Sequence, residues 1–370
     1  MASFDLHLHT EWSYDASAPV RDYFRIAKEK KCRAIAITDH HLMDAYEEVL
    51  ESAAEFPEVG YLSGSEISVN CEFGPIDLVC LNLPRRPTPE TEELFDIYHK
   101  WQVASGTATS KNLCSLGFDF DDDARLALLR SYRPAKTIAK QGNTHIKYPL
   151  MIDHFVKCGF CTDEADYLEL RKKFTFRAPY PNYDQVIPLV KKAGGVVIIA
   201  HPFRYFLGNN IERMDCLREM FQLDGIECSH PDVPEELSGF YREYCLKYNL
   251  LSSSGSDLHS PVAEKFAAQN AFTDGGGSAT ASLFVRTSKL ASAAEFPMLA
   301  DSLRDDAKYG KVQHYTFKAD GSQGALNLLH SDRANVLFAD GHCGTLAKDN
   351  AYENGYSTYY LDGVKENSTK

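Results

Sequence analysis

Residues 4–10 read Phe-Asp-Leu-His-Leu-His-Thr, and residues 34–40 read Ala-Ile-Ala-Ile-Thr-Asp-His. Each is a short apolar run that ends in metal-type side chains. Residues i and i+2 of a strand point the same way, so His7 and His9 share one face while Leu6 and Leu8 share the other. The same ending recurs along the chain. Glu66 lies in a strand-like run at 61–68 and Asp77 in one at 76–82, with a Gly74-Pro75 turn between them. His201 directly follows VVIIA at 196–200, and Asp257 and His259 follow the run at 250–253.

Helix-like segments separate these strands, at 19–31, 44–56, 183–193 and 235–248, with a further strand at 225–228. Strands apolar on both faces, alternating with helices, belong in a mostly parallel sheet covered by helices. An open doubly wound sheet and a closed barrel both fit that alternation. The polar residues decide for the barrel, because its C-terminal mouth gathers side chains from many strands into one place. Between residues 85 and 178 the pattern becomes helical and charged, which marks an inserted subdomain. The Asp-Gly-Gly-Gly-Ser break at 274–278 is followed by turn-rich, β-rich sequence. The expected organisation is an α/β barrel from 1–84 and 179–262, a helical insertion at 85–178, and a small β-rich module at 279–360.

The 370 residues are 44% hydrophobic, enough for a large core. A net charge of -13 argues against a duplex-wrapping protein, although bound cations can invert the local field for a small anionic substrate. Ten cysteines at irregular spacing, in apolar surroundings, read as reduced and buried thiols. The single Cys158–Cys161 pair, with no second pair nearby, makes no zinc knuckle. No apolar run reaches the length of a membrane span and the start is polar, so the expectation is a cytoplasmic protein with no membrane partner.

Imidazole and carboxylate ligands without a thiolate suit Zn, Mn or Fe. More than four ligands imply more than one ion, and Glu66, with two carboxylate oxygens, is a natural bridge. Paired metals activate a water and clamp both oxygens of a displacement, which suits phosphate ester hydrolysis. Each residue also has a plainer reading. A histidine at a strand end can be an ordinary polar residue, and Asp39 and Asp257 could cap a following helix or support a neighbouring histidine. So many such residues at the ends of successive strands outweigh those readings. Two alternatives stay open: an amidohydrolase-type metal hydrolase, and a metal-binding scaffold with altered catalysis. The amidohydrolase type relies on a bridging lysine, which neither VVIIA nor YLSGSEIS contains.

His-Leu-His at 7–9, Thr-Asp-His at 38–40, Gly-Ser-Glu at 64–66, Ala-His-Pro at 200–202 and Gly-Ser-Asp-Leu-His at 255–259 together resemble the polymerase and histidinol phosphatase (PHP) superfamily. KKAGGVVIIAHP at 191–202 is similar to the branch that hydrolyses nucleoside 3',5'-bisphosphates and short RNA from the 5' end. The resemblance covers about residues 3–262 and implies a distorted seven-stranded β/α (TIM-like) barrel with two or three divalent ions (Mn, Zn or Fe). One ion is implied on His7, His9, Glu66 and Asp257, a second on Asp15, His40, His201 and His259, and a third sharing Glu66. Asp77 is a further ligand, standing where the family commonly has histidine. The implied substrate is a phosphorylated small molecule, a nucleotide or a short oligonucleotide, attacked by a metal-activated water.

The chain departs from the family in three places. The first loop reads Ser-Tyr-Asp-Ala-Ser at 13–17, so Asp15 is displaced. The fourth strand carries Asp77. In the insertion, Leu150 stands where the family has histidine, with His145 and His154 as the nearby imidazoles. Lys147, Arg177 and Arg204 are the candidate phosphate contacts, each with a solvated-charge alternative. Phe203, Tyr205 and Phe206 could stack on a base, but packing of their own loop is the preferred reading. Residues 330–342 and 296–302 weakly resemble pseudopilin-like proteins, with His330 and His342 read as non-catalytic.

Overall fold

The computed structural model describes residues 4–261 and, beyond them, the backbone of eight strands between 297 and 367. The chain divides into two units, 1–276 and 277–370.

The first unit holds one seven-stranded sheet: β1 (Phe4–Leu8), β2 (Ala34–Ile37), β3 (Gly60–Cys71), β4 (Gly74–Leu81), β5 (Val196–Ile199), β6 (Gly225–Ser229) and β7 (Leu251–Ser254), side by side in chain order. It is not uniformly parallel. β1–β2–β3 and β5–β6–β7 pair in parallel, but β4 is antiparallel to both neighbours. The cause is local. Only Glu72 and Phe73 separate β3 from β4, and so short a connection makes a hairpin rather than a crossover. Gly74 then takes φ +90°, a left-handed conformation that suits glycine.

The sheet curls almost into a barrel. Beyond β7 the chain pairs with β1: His9 N–H donates to the Leu258 carbonyl at 2.9 Å, and Asp257 N–H donates to the His7 carbonyl at 2.9 Å. Tyr23, from α1 (Val20–Glu29), lies over this seam. Its hydroxyl contacts the carbonyl oxygens of His9 and Leu258 at 2.9 and 2.8 Å. The seam therefore brings the Gly255–His259 segment beside the His-Leu-His strand.

Helices cover the sheet. α1 and α2 (Tyr46–Glu55) pack on β1–β3 through Val20, Phe24, Ile37 and Val49. α8 (Tyr183–Lys192), α9 (Ile211–Phe221) and α10 (Glu235–Tyr248) cover the other half through Val186, Val190, Leu217, Phe221 and Tyr241. Between β4 and α8 come five helices: α3 (Pro89–Ser115), α4 (Asp122–Tyr132), α5 (Ala135–Gln141), α6 (Tyr148–Lys157) and α7 (Glu164–Lys172). Thr88 and Asp121 cap α3 and α4 through their side-chain oxygens. These helices have a core of their own around Leu113, Phe120, Phe155 and Tyr167.

The second unit holds β8 (Pro297–Ala300), β9 (Ser302–Asp306), β10 (Gly310–Gln313), β11 (Ala325–Leu328), β12 (Arg333–Phe338), β13 (Cys343–Ala347), β14 (Thr358–Leu361) and β15 (Val364–Asn367), arranged in a five-stranded sheet, β10–β9–β11–β14–β15, and a three-stranded sheet, β13–β12–β8. His330 and His342 lie outside the described residues. All nine cysteines among the described residues are free thiols, and no described helix is long and apolar enough to cross a membrane.

Candidate metal centre

The barrel mouth collects the strand-end residues. β1 presents His7 and His9, both fully buried. Glu66 sits within β3, fixed by backbone bonds to both sides: its N–H donates to Thr38 and its carbonyl accepts from His41 N–H. His40 forms a parallel bridge with Glu66. His201 follows β5, and Asp257 and His259 lie on the seam segment. Asp39 caps no helix, since α2 begins only at Tyr46. It accepts instead from the Thr10 amide at 2.5 Å and the Thr10 hydroxyl at 2.7 Å, pinning the turn after β1.

Among the described residues, three sets of imidazole and carboxylate atoms converge closely enough to hold ions. These are His7, His9, Glu66 and Asp257; His9, Asp15, His40 and His259; and Glu66, Asp77 and His201. All nine strand-end and loop residues singled out as ligands fall in these sets. The grouping of one differs from expectation. His201 stands with Glu66 and Asp77, not with Asp15, His40 and His259, because its Nε2 is 3.0 Å from Glu66 Oε1 and 3.9 Å from Asp77 Oδ2. The seam also departs from a plain strand. Asp257 takes φ +53°, so Asp257 and His259 do not simply share a strand face, and each serves a different set.

The hydrogen-bond pattern fits cations. His7 Nδ1 lies 3.0 Å from Glu227 Oε1, an acceptor, so the neutral ring carries its proton there. Bare Nε2 then faces Glu66 Oε2 at 2.9 Å and Asp257 Oδ1 at 3.4 Å, lone pair against lone pair. His259 repeats this, with Nδ1 on the Asp257 carbonyl at 2.9 Å and Nε2 3.0 Å from Asp15 Oδ2. His9 Nε2 lies 3.1 Å from Glu66 Oε2 and 3.0 Å from Asp257 Oδ1 yet makes no hydrogen bond with either. Such contacts need either protons on buried imidazoles or metal ions between the partners. An outer carboxylate that fixes the tautomer is the usual support of a metal-bound histidine.

The electrostatics agree. Burial works against charging His7, but Glu66, Glu227 and Asp257 outweigh it and raise its pKa well above the ordinary value. In the same way Asp15 and Glu66 overcome burial to raise His40 to about 10, and Glu66 raises His201 to about 9. Burial opposes ionisation of Glu66, yet His7 and His40 hold it well below the usual carboxylate range. The pocket thus strongly favours positive charge beside its carboxylates.

The candidate substrate residues are scattered. Lys147 Nζ donates to the Asp15 carbonyl, beside the centre. Arg204 is exposed, 3.6 Å from Asp232 Oδ2. Arg177 is exposed and donates to the Arg171 carbonyl within the insertion. Leu150 lies on α6. Of the two nearby imidazoles, His145 approaches the centre, its ring 4.2 Å from that of Tyr14, while His154 sits against Phe120 and Cys158. None of the three sets includes a residue of the insertion. Phe206 is fully buried against Tyr241. Tyr205 packs against the core, as the loop-packing reading expects, and its hydroxyl does something that reading did not include. Its hydroxyl donates to Asp77 Oδ2 at 2.6 Å, while Ser68 donates to Asp77 Oδ1 at 2.5 Å.

Two residues escape the sequence reading. Glu227, buried in β6, meets His7 Nδ1 and also accepts from the His201 amide at 2.7 Å. His230, after β6, accepts from the Asp232 N–H through Nδ1 at 3.0 Å, which places the proton of the neutral ring on Nε2. That atom is buried, has no hydrogen-bond partner, and lies 3.6 Å from Asp257 Oδ2. The Glu-x-x-His spacing after an apolar strand start is the signal that could have found both.

Residues 5–193 match the PHP domain family. Among curated proteins, a 5'-3' exoribonuclease of Haemophilus influenzae is 24% identical over 263 residues, covering 70% of this chain and 90% of that protein. A 3',5'-nucleoside bisphosphate phosphatase of Chromobacterium violaceum is 25% identical over 263 residues, with 70% and 88% covered. A solved structure, an amidohydrolase from Chromobacterium violaceum with bound sulfate and no metal, is 21% identical, covers 70% of this chain and 88% of its own, and gives a TM-score of 0.55. That likeness carries the fold alone. The pseudopilin-like resemblance of the C-terminal segment finds no support in these comparisons.

Proposed function

The chain belongs to the PHP domain family and is a metal-dependent hydrolase, and from that premise we propose that it cleaves phosphate esters of nucleotides or oligonucleotide ends. The observation that carries this reading is the position of Glu66. Its two oxygens lie 2.9 Å from His7 and 3.0 Å from His201, so one buried carboxylate belongs to two of the three ligand sets. When bound there, divalent ions supply charge to the phosphoryl oxygens and make a water a better nucleophile at neutral pH.

The protein's own groups do the rest. Glu66, buried, and Asp257, about a quarter exposed, keep negative charge fixed at the barrel mouth, where the cost of assembling it has already been met during folding. His230 offers an unpartnered Nε2–H beside Asp257, placed to donate to a phosphoryl oxygen. Arg204, exposed just past His201, is the candidate for a second phosphate or the next nucleotide. Lys147 and Arg177 are less suited, because each already donates to a backbone carbonyl. The similarity to proteins described as an exoribonuclease and a nucleoside bisphosphatase supports a nucleotide substrate over a sugar phosphate. None of the seven barrel strands carries a lysine, which leaves the amidohydrolase-type alternative without its bridging group.

Turnover of aryl phosphates and of nucleoside 3',5'-bisphosphates, assayed with Mn, Zn and Fe in turn, tests the proposal. We expect metal-stimulated release of phosphate from the bisphosphate and its abolition in His9→Ala with the fold retained. No turnover with any of these ions would leave the scaffold reading in its place.

A further inference from the structure

The loop after β1 carries Asp15, and its backbone is gripped from the insertion. The Trp12 carbonyl accepts from Arg133 Nη2 at 2.9 Å and from Gln141 Nε2 at 3.1 Å. The Ser13 carbonyl accepts from Arg133 Nη2 at 3.4 Å. The Tyr14 carbonyl accepts from the Tyr132 hydroxyl at 3.4 Å, and the Asp15 carbonyl from Lys147 Nζ. Every carbonyl from residue 12 to residue 15 thus meets a side-chain donor from the end of α4, from α5 or from the start of α6. Arg133 is itself buried, a costly place for a guanidinium, and its Nε and Nη1 find no partner. A charge kept there at that cost argues for more than packing.

We infer that the helical insertion is a latch that positions Asp15 for the ion shared by Asp15, His40, His259 and His9, with Arg133 as its chief positioning residue. The inference rests on the metal-centre reading. Fixing four successive peptide planes removes the freedom that the loop would otherwise lose when an ion binds. Inside the loop, Ser13 Oγ donates to Asp15 Oδ1 at 2.7 Å, and His40 N–H donates to Ser13 Oγ at 3.3 Å. Asp15 Oδ2 is thereby left facing His259 Nε2 at 3.0 Å and His40 Nε2 at 3.3 Å. The latch holds Asp15 where its Oδ2 meets both His40 and His259. It also gives the insertion a task although it contributes no ligand.

Three variants and a control test it. Arg133→Met removes two carbonyl contacts, Arg133→Lys keeps the charge, and Lys147→Met removes a donor from a less buried position. Lys136→Met is the control, since it breaks insertion contacts to Glu11 and Glu48 without touching carbonyls 12–15. Each full-length chain is loaded with Mn2+ and dialysed against graded EDTA, and bound Mn per chain and the melting temperature are read. We expect Arg133→Met and Lys147→Met to shed one ion at a free Mn2+ concentration about tenfold above that of wild type, while the remaining ions stay. Arg133→Lys should fall between, and Lys136→Met should match wild type. If Arg133→Met does not fold, Lys147→Met carries the comparison. Variants that titrate like wild type, or that lose all ions together as the melting temperature drops, overturn the latch. A wild-type chain that binds no Mn2+ overturns the metal-centre reading beneath it.

Discussion

Replacing Glu227 by glutamine changes one atom of a buried side chain and removes one charge. In the native protein the two carboxylate oxygens act separately, Oε1 toward His7 Nδ1 at 3.0 Å and Oε2 toward the His201 amide at 2.7 Å. A glutamine has one acceptor oxygen, so one of these N–H groups must face an NH2 instead. A hydrogen bond to a charged group contributes about 1.5–3 kcal/mol net, which corresponds to roughly a tenfold to hundredfold loss when it fails. Supports of metal-binding histidines show losses of about that size. The assay is Mn2+ titration by calorimetry together with kcat/KM over a range of Mn2+ concentration. We expect Glu227→Gln to weaken the ion bound by His7 about tenfold to hundredfold and to recover part of its turnover at high Mn2+. Unchanged affinity and unchanged kcat/KM would refute the argument that Glu227 sets the tautomer of His7.

Other perturbations have equally definite outcomes. A Cβ at Gly255 would lie 2.1 Å from His7 Cβ and 2.6 Å from Glu227 Oε1, so Gly255→Ala should cost about 1–3 kcal/mol of stability and displace His7; thermal melting and Mn2+ binding read both, and wild-type metal affinity would contradict the close approach. Tyr205→Phe leaves Asp77 Oδ2 without its hydroxyl donor, and we expect loss of about tenfold in affinity confined to the ion on Glu66, Asp77 and His201, seen as metal per chain under chelator. In chelator-stripped protein, His40 titrates near 10 and His201 near 9, both above the unfolded value of about 6.5. Their contribution to stability is complete below the unfolded value and is lost as pH rises through the folded values, so the melting temperature of the stripped protein should fall between about pH 6.5 and 10. A flat or rising profile would count against the charged imidazoles.

Much of the fold is legible because strand and helix periods are local properties. The runs at 4–9, 34–38 and 196–200 are strands because their apolar residues must be buried from both sides, and α10 matches its sequence period from Glu235 to Tyr248. The antiparallel place of β4 was less plain, since a buried strand reads alike in either direction. The ligands are legible because metal chemistry restricts residue type. Their grouping is not, because it depends on how the barrel closes. His201 joins Asp77 through the β4–β5 pairing, and Asp257 separates from His259 through a left-handed φ. Glu227 and His230 carry only the Glu-x-x-His spacing after the start of β6, and that spacing names no partner: that Glu227 meets His7 depends on how the barrel closes. Arg133 was hidden likewise, since its partners are backbone carbonyls, which every sequence possesses.

Imidazoles and carboxylates from separate strands converge around Glu66, close enough to hold two or three ions. Anomalous diffraction from crystals of the Mn-loaded protein locates those ions. We expect peaks among His7, His9, Glu66 and Asp257 and among His9, Asp15, His40 and His259, with the third place beside Asp77 and His201. Crystals of fully loaded protein with no anomalous peak within coordination distance of Glu66 would contradict that assignment.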